Sequence, residues 1–378
     1  MTAIAGFCDQ RFVRVREALE VNFRHHGELG AAVAIEVNGE PVVDIWAGWA
    51  DEAHSRRWER DTLVAVFSVG KAMAALCTLM LAERGHLALD APVAEYWPEF
   101  AARGKEEVTL RMLLAHRAGL PAVRRMLSDP DAYDWELMTS VLAGEEPWWP
   151  PGTAHGYHVN TFGFLAGEIV RRVSGRSFGT FFRDEVAAPL DADFHFGLAP
   201  EHDDRVAEYL FSSLSVEGTE KRQVEGDEAR LMLLGRAYLN PPGLSGIGTV
   251  NTRPWRAAEI PSANGHASAR AVARIYGALL AGRLVSAQTL DEAITEASAG
   301  PDLVLGRPSR FGLGFQLTQA ERPLGPNPRS FGHFGAGGSL GFADPDEGIS
   351  FAYVLNRSGP RWQNPRNRAL LDAVYASL

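Results

Sequence analysis

The sequence predicts an α+β fold in which a sheet is assembled from both chain ends and a mostly helical domain is inserted between them. Three observations carry this. Apolar, β-branched runs around an Asn-Gly turn signal occupy 31–47, and strand-like runs return after Leu313. Between them, 86–125 and 160–240 carry helical patterns broken by Pro and Gly. The length, 378 residues, is about two domains at roughly 150 residues each. The expected division is an α/β domain from 1–85 and 260–378, a helical insertion at 86–259, and a cleft between them.

Taken in order, Phe12, Val15, Ala18, Leu19 and Phe23 recur at helical spacing and predict an opening helix over Arg11–His26. Ala31–Val37 and Pro41–Ala47 flank Asn38-Gly39, a hairpin signal. A polar loop with Arg56, Arg57, Glu59 and Arg60 leads to the short apolar run Leu63–Phe67. Ala72–Arg84 reads as a buried helix closed by Gly85. Phe162–Val173 places Leu165, Ile169 and Val173 on one stripe, with Gly175 as its stop. Ala267–Ala281 is a further helix. Strands are expected at Leu313–Leu317, Phe331–Gly335, Leu340–Ala343 and Ile349–Leu355, and a last helix at Arg368–Tyr375.

Composition narrows the function. At 46% hydrophobic and 22% charged residues, the chain is ordinary globular material rather than disordered or fibrous. The net charge of −10 has the wrong sign for nucleic acid or an anionic membrane, and no apolar run is long enough to span a bilayer. Cys8 and Cys77 build neither a disulfide framework nor a zinc motif. Met1–Cys8 lacks a positive leader, so the expectation is a cytoplasmic protein with no signal peptide.

Three local patterns carry chemistry. Ser68-Val69-Gly70-Lys71 opens the predicted helix, and three residues' separation sets the lysine one turn on, on the face of the serine. A helix N-terminus favours a developing alkoxide, and a buried lysine loses its charge and becomes a base. A capping serine with a solvated lysine would show the same letters. Lys71, however, stands alone in the apolar stretch Leu63–Ala82, where no exposed stripe would receive it. Tyr157, in Gly156-Tyr157-His158-Val159-Asn160, follows the rigid loop Pro147-Trp148-Trp149-Pro150-Pro151-Gly152. Such a phenol can shuttle a proton with Ser68, although a packing tyrosine fits the same pattern. His333-Phe334-Gly335-Ala336-Gly337-Gly338 ends a predicted strand; its glycines let a substrate lie against backbone N–H groups, or simply make a hairpin turn.

Rival motifs fail. Leu340 stands where a dinucleotide fingerprint needs its last glycine, and Ala72 follows Gly70-Lys71 where a P-loop needs Ser or Thr. No His-Glu-x-x-His helix exists, and Gly243-Leu244-Ser245-Gly246-Ile247 lacks the second glycine of a nucleophile elbow.

The order Ser-x-x-Lys, Tyr, strand-borne His-x-Gly resembles the serine β-lactamase/penicillin-binding-protein superfamily, and within it the class C β-lactamase-like family VIII carboxylesterases. Leu87–Val93 and Val108–Leu120 are also similar to family segments, so the resemblance spans nearly the whole chain. It implies a β-lactamase/transpeptidase-like fold, an antiparallel sheet flanked by helices beside a helical domain. It further implies Ser68 as nucleophile, Lys71 as its base or proton partner, Tyr157 as general base and acid, and His333 at the place of the lactamase lysine. The Ser68 and Ala336 N–H groups would form the oxyanion hole. Gly335, Gly337, Trp148 and Trp149 are candidate substrate contacts; no metal or cofactor is expected, and the partner is a small-molecule ester.

Two departures qualify the match. The family pattern is Tyr-x-Asn, but here Asn160 lies one residue further, so a second register would set His158-Val159-Asn160 on it; the chemistry favours Tyr157. His333 replaces a permanent cation with a group neutral near pH 7. Both changes point to neutral esters. The alternatives are a weak β-lactamase, a D-amino-acid amidase or peptidase, or an acyltransferase on the same residues, and, from another class, a non-catalytic binding module.

Overall fold

Asn38 and Gly39 take φ of 51° and 81°, the primed turn that Asn-Gly predicts, and close a hairpin of β2 (Gly30–Val37) and β3 (Glu40–Gly48). In the computed structural model, which describes residues 2–211 and 228–378, this hairpin lies in an antiparallel nine-stranded sheet. The sheet adds β1 (Ala5–Cys8) from the N-terminal side. Its other members are β7 (Ser298–Pro301), β8 (Pro308–Phe311), β9 (Gln316–Leu317), β10 (Phe331–Phe334), β11 (Leu340–Asp344) and β12 (Ile349–Leu355). The strand order is β1-β3-β2-β12-β11-β10-β9-β8-β7. Ile349↔Val37 through Leu355↔Ala31 is the seam that joins the two chain ends. Every residue of β12 is buried, which its unbroken apolar run requires, and the helix Ala269–Leu280 packs across β2, β11 and β12.

The helix Val69–Glu83 is buried at every position from Val69 to Leu81, as a helix apolar on all sides must be. It packs between the helix Thr161–Ser174 and β10. Two glycines set how closely. A Cβ on Gly70 would lie 2.3 Å from the Pro261 carbonyl oxygen, and one on Gly163 would lie 2.5 Å from the Ser262 amide nitrogen. Residues 261 and 262 therefore pass in direct backbone contact with both helices. The helix ends follow the expected stops, with Gly85 at φ 74° and Gly175 at φ 70°.

Other elements differ from expectation. The strand expected over Leu313–Leu317 shrinks to Gln316–Leu317, because Gly314 at φ 81° turns the chain against Ala75. The last helix spans Pro365–Tyr375 and starts three residues early, at a Pro in its first turn capped by Asn364. The helical pattern of 86–125 resolves into short turns and the helix Leu110–Leu114. β1, β7 and β8 were not expected, nor was a small sheet of β4 (Val64–Ala65), β6 (His266–Ala267) and β5 (Phe194–His195). Within the helical pattern of 160–240, residues 212–227 lie outside the described residues. Among the described residues no helix is long and apolar enough to cross a membrane.

Candidate active site

Ser68 occupies the N-cap position of the helix Val69–Glu83, yet its side chain accepts no bond from the helix amides. A capping serine would. Its Oγ instead lies 2.9 Å from Lys71 Nζ, which also donates to the Ser262 carbonyl at 3.0 Å. Lys71 is fully buried, and among the described residues no carboxylate pairs with it. Burial holds its pKa well below the usual lysine value. Nζ thus bridges the Ser68 hydroxyl and the Ser262 carbonyl, and the lowered pKa favours its neutral form. The turn into the helix is strained: Phe67 sits at φ 50°, in the left-handed region, and is held there by ring contacts to Tyr209, Phe211 and Trp255.

Tyr157 is fully buried, with Lys71 Nζ 4.9 Å from its ring centre. Its hydroxyl makes no well-formed hydrogen bond. Burial pushes the phenol pKa well up, and the nearby Ser68 hydroxyl only partly opposes this. The backbone around it is pinned: Gly156 N–H donates to the His116 carbonyl at 3.1 Å, and His158 N–H donates to His116 Nδ1 at 3.2 Å. His158 spends both ring nitrogens on structure, Nδ1–H on the Gly156 carbonyl (2.7 Å) and Nε2 on the Leu120 amide (3.1 Å). Of the two possible registers, the tyrosine is the one that stands beside Ser68.

β10 carries His333 into the same centre, its ring 6.0 Å from that of Tyr157. His333 Nδ1–H donates to the Phe334 carbonyl at 2.7 Å, so Nε2 is left as a buried acceptor with no partner among the described residues. Burial above all drives its pKa to about 3. The following turn is tied to the segment before Ser68, where Ser339 Oγ donates to the Val66 carbonyl at 3.1 Å. A Cβ on Gly335 would stand 2.4 Å from that same carbonyl oxygen, so only glycine permits this approach. Tyr209 Oη donates to the Ala336 carbonyl at 3.1 Å. Among the described residues neither the Ser68 nor the Ala336 N–H has an acceptor.

Ser68, Tyr157, Asn160, Ser262, Ala336, Tyr238 and Trp362 share one cavity of about 90 Å³. Gly335 and Gly337 lie behind Ala336 rather than on the cavity wall, Gly337 packing against Tyr209 and Ser358. Trp148 and Trp149 line a different groove of about 730 Å³, with Leu233 and Leu303. Their indole N–H groups are bonded to the Ala122 and Ala154 carbonyls. Asn160 Nδ2 is spent on the Ala237 carbonyl and Ser245 Oγ. Sequence reasoning did not single out Ser262, Tyr209, His116 or Asp302 as parts of the site. Only His116 left a trace, inside the family-like stretch Val108–Leu120.

The family model of the beta-lactamase family matches residues 15–376, and the chain belongs to that family. Among solved structures, a family VIII carboxylesterase superposes with a TM-score of 0.91 at 40% identity, covering 100% of both chains. A penicillin-binding protein homolog from Caulobacter crescentus gives 0.89 at 40% identity, again over 100% of both. The esterase/beta-lactamase LipL of Mycobacterium tuberculosis is 36% identical over 364 residues, 94% of this chain and 83% of LipL.

Proposed function

We propose that this enzyme hydrolyses short- to medium-chain carboxylic esters through a covalent acyl-Ser68 intermediate. The observation that carries the reading is Lys71, fully buried and within hydrogen-bond reach of a serine hydroxyl that caps nothing. Ser68 Oγ attacks the ester carbonyl carbon and passes its proton to Lys71 Nζ. The oxyanion accepts from the Ser68 and Ala336 N–H groups, each such donor typically worth about 100-fold or more. Gly335 and Gly337 shape the turn that presents Ala336. As the tetrahedral centre collapses, Tyr157 Oη protonates the departing alkoxide and recovers a proton from Lys71. Water then repeats the sequence in reverse and frees the acid. No metal or organic cofactor takes part.

Neutral esters suit the site better than carboxylate-bearing lactams. His333, with its pKa driven to about 3, supplies no cation to offset a substrate carboxylate. LipL's name joins both activities, so the test measures both. The panel is p-nitrophenyl acetate, butyrate and octanoate beside nitrocefin, for wild type and Ser68→Ala. Ester turnover that vanishes in Ser68→Ala, with little nitrocefin cleavage, is the expected result. Fast nitrocefin cleavage moves the enzyme to the lactamase side.

Two further outcomes follow from the geometry. Turnover needs Lys71 neutral, so activity falls as pH drops through the lysine's folded pKa. Because burial lowers that pKa, the acid limb of the kcat profile lies well below 10.5, and a limb near an ordinary lysine value contradicts the base assignment. The cavity of about 90 Å³ is smaller than the roughly 150 Å³ that accommodates benzene, so acetyl and butyryl esters turn over faster than octanoyl. Trp362→Ala removes one wall and raises the octanoate-to-acetate ratio by about 10-fold or more; an unchanged ratio excludes Trp362 as the limit on chain length. Trp148 and Trp149 contact only a substrate long enough to reach their groove.

The same proposal includes the division into an α/β domain at 1–85 and 260–378 and an insertion at 86–259. It is supported by the nine-stranded sheet, whose strands all come from residues 5–48 and 298–355. A reducing, cytoplasmic compartment suits the free thiols of Cys8 and Cys77.

A further inference from the structure

We propose that Asp302 is a positioning residue for Tyr157: its buried carboxylate holds the tyrosine's own backbone amide and so sets where the phenol stands beside Ser68. The inference rests on the role assigned to Tyr157 above. Asp302, 3% exposed, follows β7 directly. Its oxygens accept from Tyr157 N–H at 3.1 and 3.2 Å, from the Val304 and Leu305 amides at 2.9 and 2.8 Å, and from Ser309 Oγ at 2.7 Å. Ser309 spends its proton on Asp302, so His155 Nε2, 2.9 Å away, donates to Ser309. Leu303 N–H donates to the His155 carbonyl at 3.2 Å. The loop between β7 and β8 is thus wrapped around residues 155–157.

The clamp acts on the phenol through the backbone that carries it. With the bonds made by His116, the consecutive amides of Gly156, Tyr157 and His158 are all held by acceptors outside their own segment. The ring is stacked on Phe311 at 5.9 Å and flanked by Trp362 at 5.1 Å. Among the described residues the Tyr157 hydroxyl makes no well-formed hydrogen bond. Its placement is therefore inherited from the backbone and the ring contacts. A misplacement of about 1 Å in a reacting group costs about 100-fold in rate.

The test measures kcat and KM per active site, with sites counted by fluorophosphonate labelling so that misfolded protein drops out. Asp302→Ala is expected to lower kcat per labelled site by about 100-fold, with KM within about threefold. Asp302→Asn keeps an oxygen for the three amides and offers its NH₂ to Ser309, so it recovers to within about fivefold of wild type. In a Tyr157→Phe background Asp302→Ala has no further effect, because the group it positions is gone. Full kcat in Asp302→Ala, an Asn variant no better than Ala, or additive losses in the double variant overturns the inference. Should Asp302→Ala not fold, Ser309→Ala decides: a fall in kcat of about threefold with KM unmoved supports the clamp, and unchanged kcat overturns it. Full activity in Tyr157→Phe alone would instead bring down the mechanism on which the inference rests.

Discussion

Lys71→Met is expected to lower kcat for ester hydrolysis by about 1,000-fold and at the same time to raise Tm. The first effect follows from the loss of the amine within reach of the Ser68 hydroxyl, a positioned base being worth about 100- to 10,000-fold. The second follows from linkage. A buried lysine with a lowered folded pKa is uncharged in the folded state above that pKa, while the unfolded chain stays protonated up to about pH 10.5. The unfolded state then binds more protons, so this residue opposes folding at neutral pH and stability rises with pH up to 10.5. Methionine fills similar space without that penalty, and the variant's stability should depend less on pH. Opposite signs for activity and stability mark a residue kept for chemistry; loss of both would mark Lys71 as part of the structural core.

Tyr157→Phe is expected to lower kcat by about 100- to 1,000-fold while leaving Tm nearly unchanged. The ring keeps its contacts with His116, Phe311, His333 and Trp362. Among the described residues the hydroxyl that is removed makes no well-formed hydrogen bond, and deleting a poorly satisfied buried polar group costs the fold little. The deficit should shrink for esters with good leaving groups such as p-nitrophenol, which need less help from an acid, and grow for simple alkyl esters. An equal deficit for both classes would contradict the assignment of Tyr157 as the acid that protonates the alcohol.

What could be read from sequence was what is local. Ser68 and Lys71 lie one helical turn apart, so their meeting was visible in four letters, and the lone lysine in an apolar run already announced its burial. Asn38-Gly39 and the β12 run were legible for the same reason. Tyr157 and His333 could be ranked only by their order along the chain. What holds each in place is distant: Ser262 reaches Lys71 across 191 residues of sequence, and Asp302 reaches Tyr157 across 145. Neither serine nor aspartate announces such a bond. Edge strands were lost because they bury too little to alternate cleanly: β1 is mostly exposed, and β7 and β8 are broken by Gly and Pro. The glycines of residues 335–338 suggested close approach, and close approach there is. Gly335 faces Val66 and Ser339, and Gly337 faces Tyr209, so the partner they admit is the protein itself.

The acyl-Ser68 intermediate is the central claim, and rapid-quench mass spectrometry tests it most directly. Wild-type enzyme and Ser68→Ala are mixed with p-nitrophenyl acetate, quenched in acid before steady state, and digested. The expected result is one acetyl group on the Ser68 peptide of the wild type, formed as fast as the burst of p-nitrophenol, with neither adduct nor burst in Ser68→Ala. Turnover in the variant, or an acetyl group resident on another peptide at the rate of the burst, would contradict it.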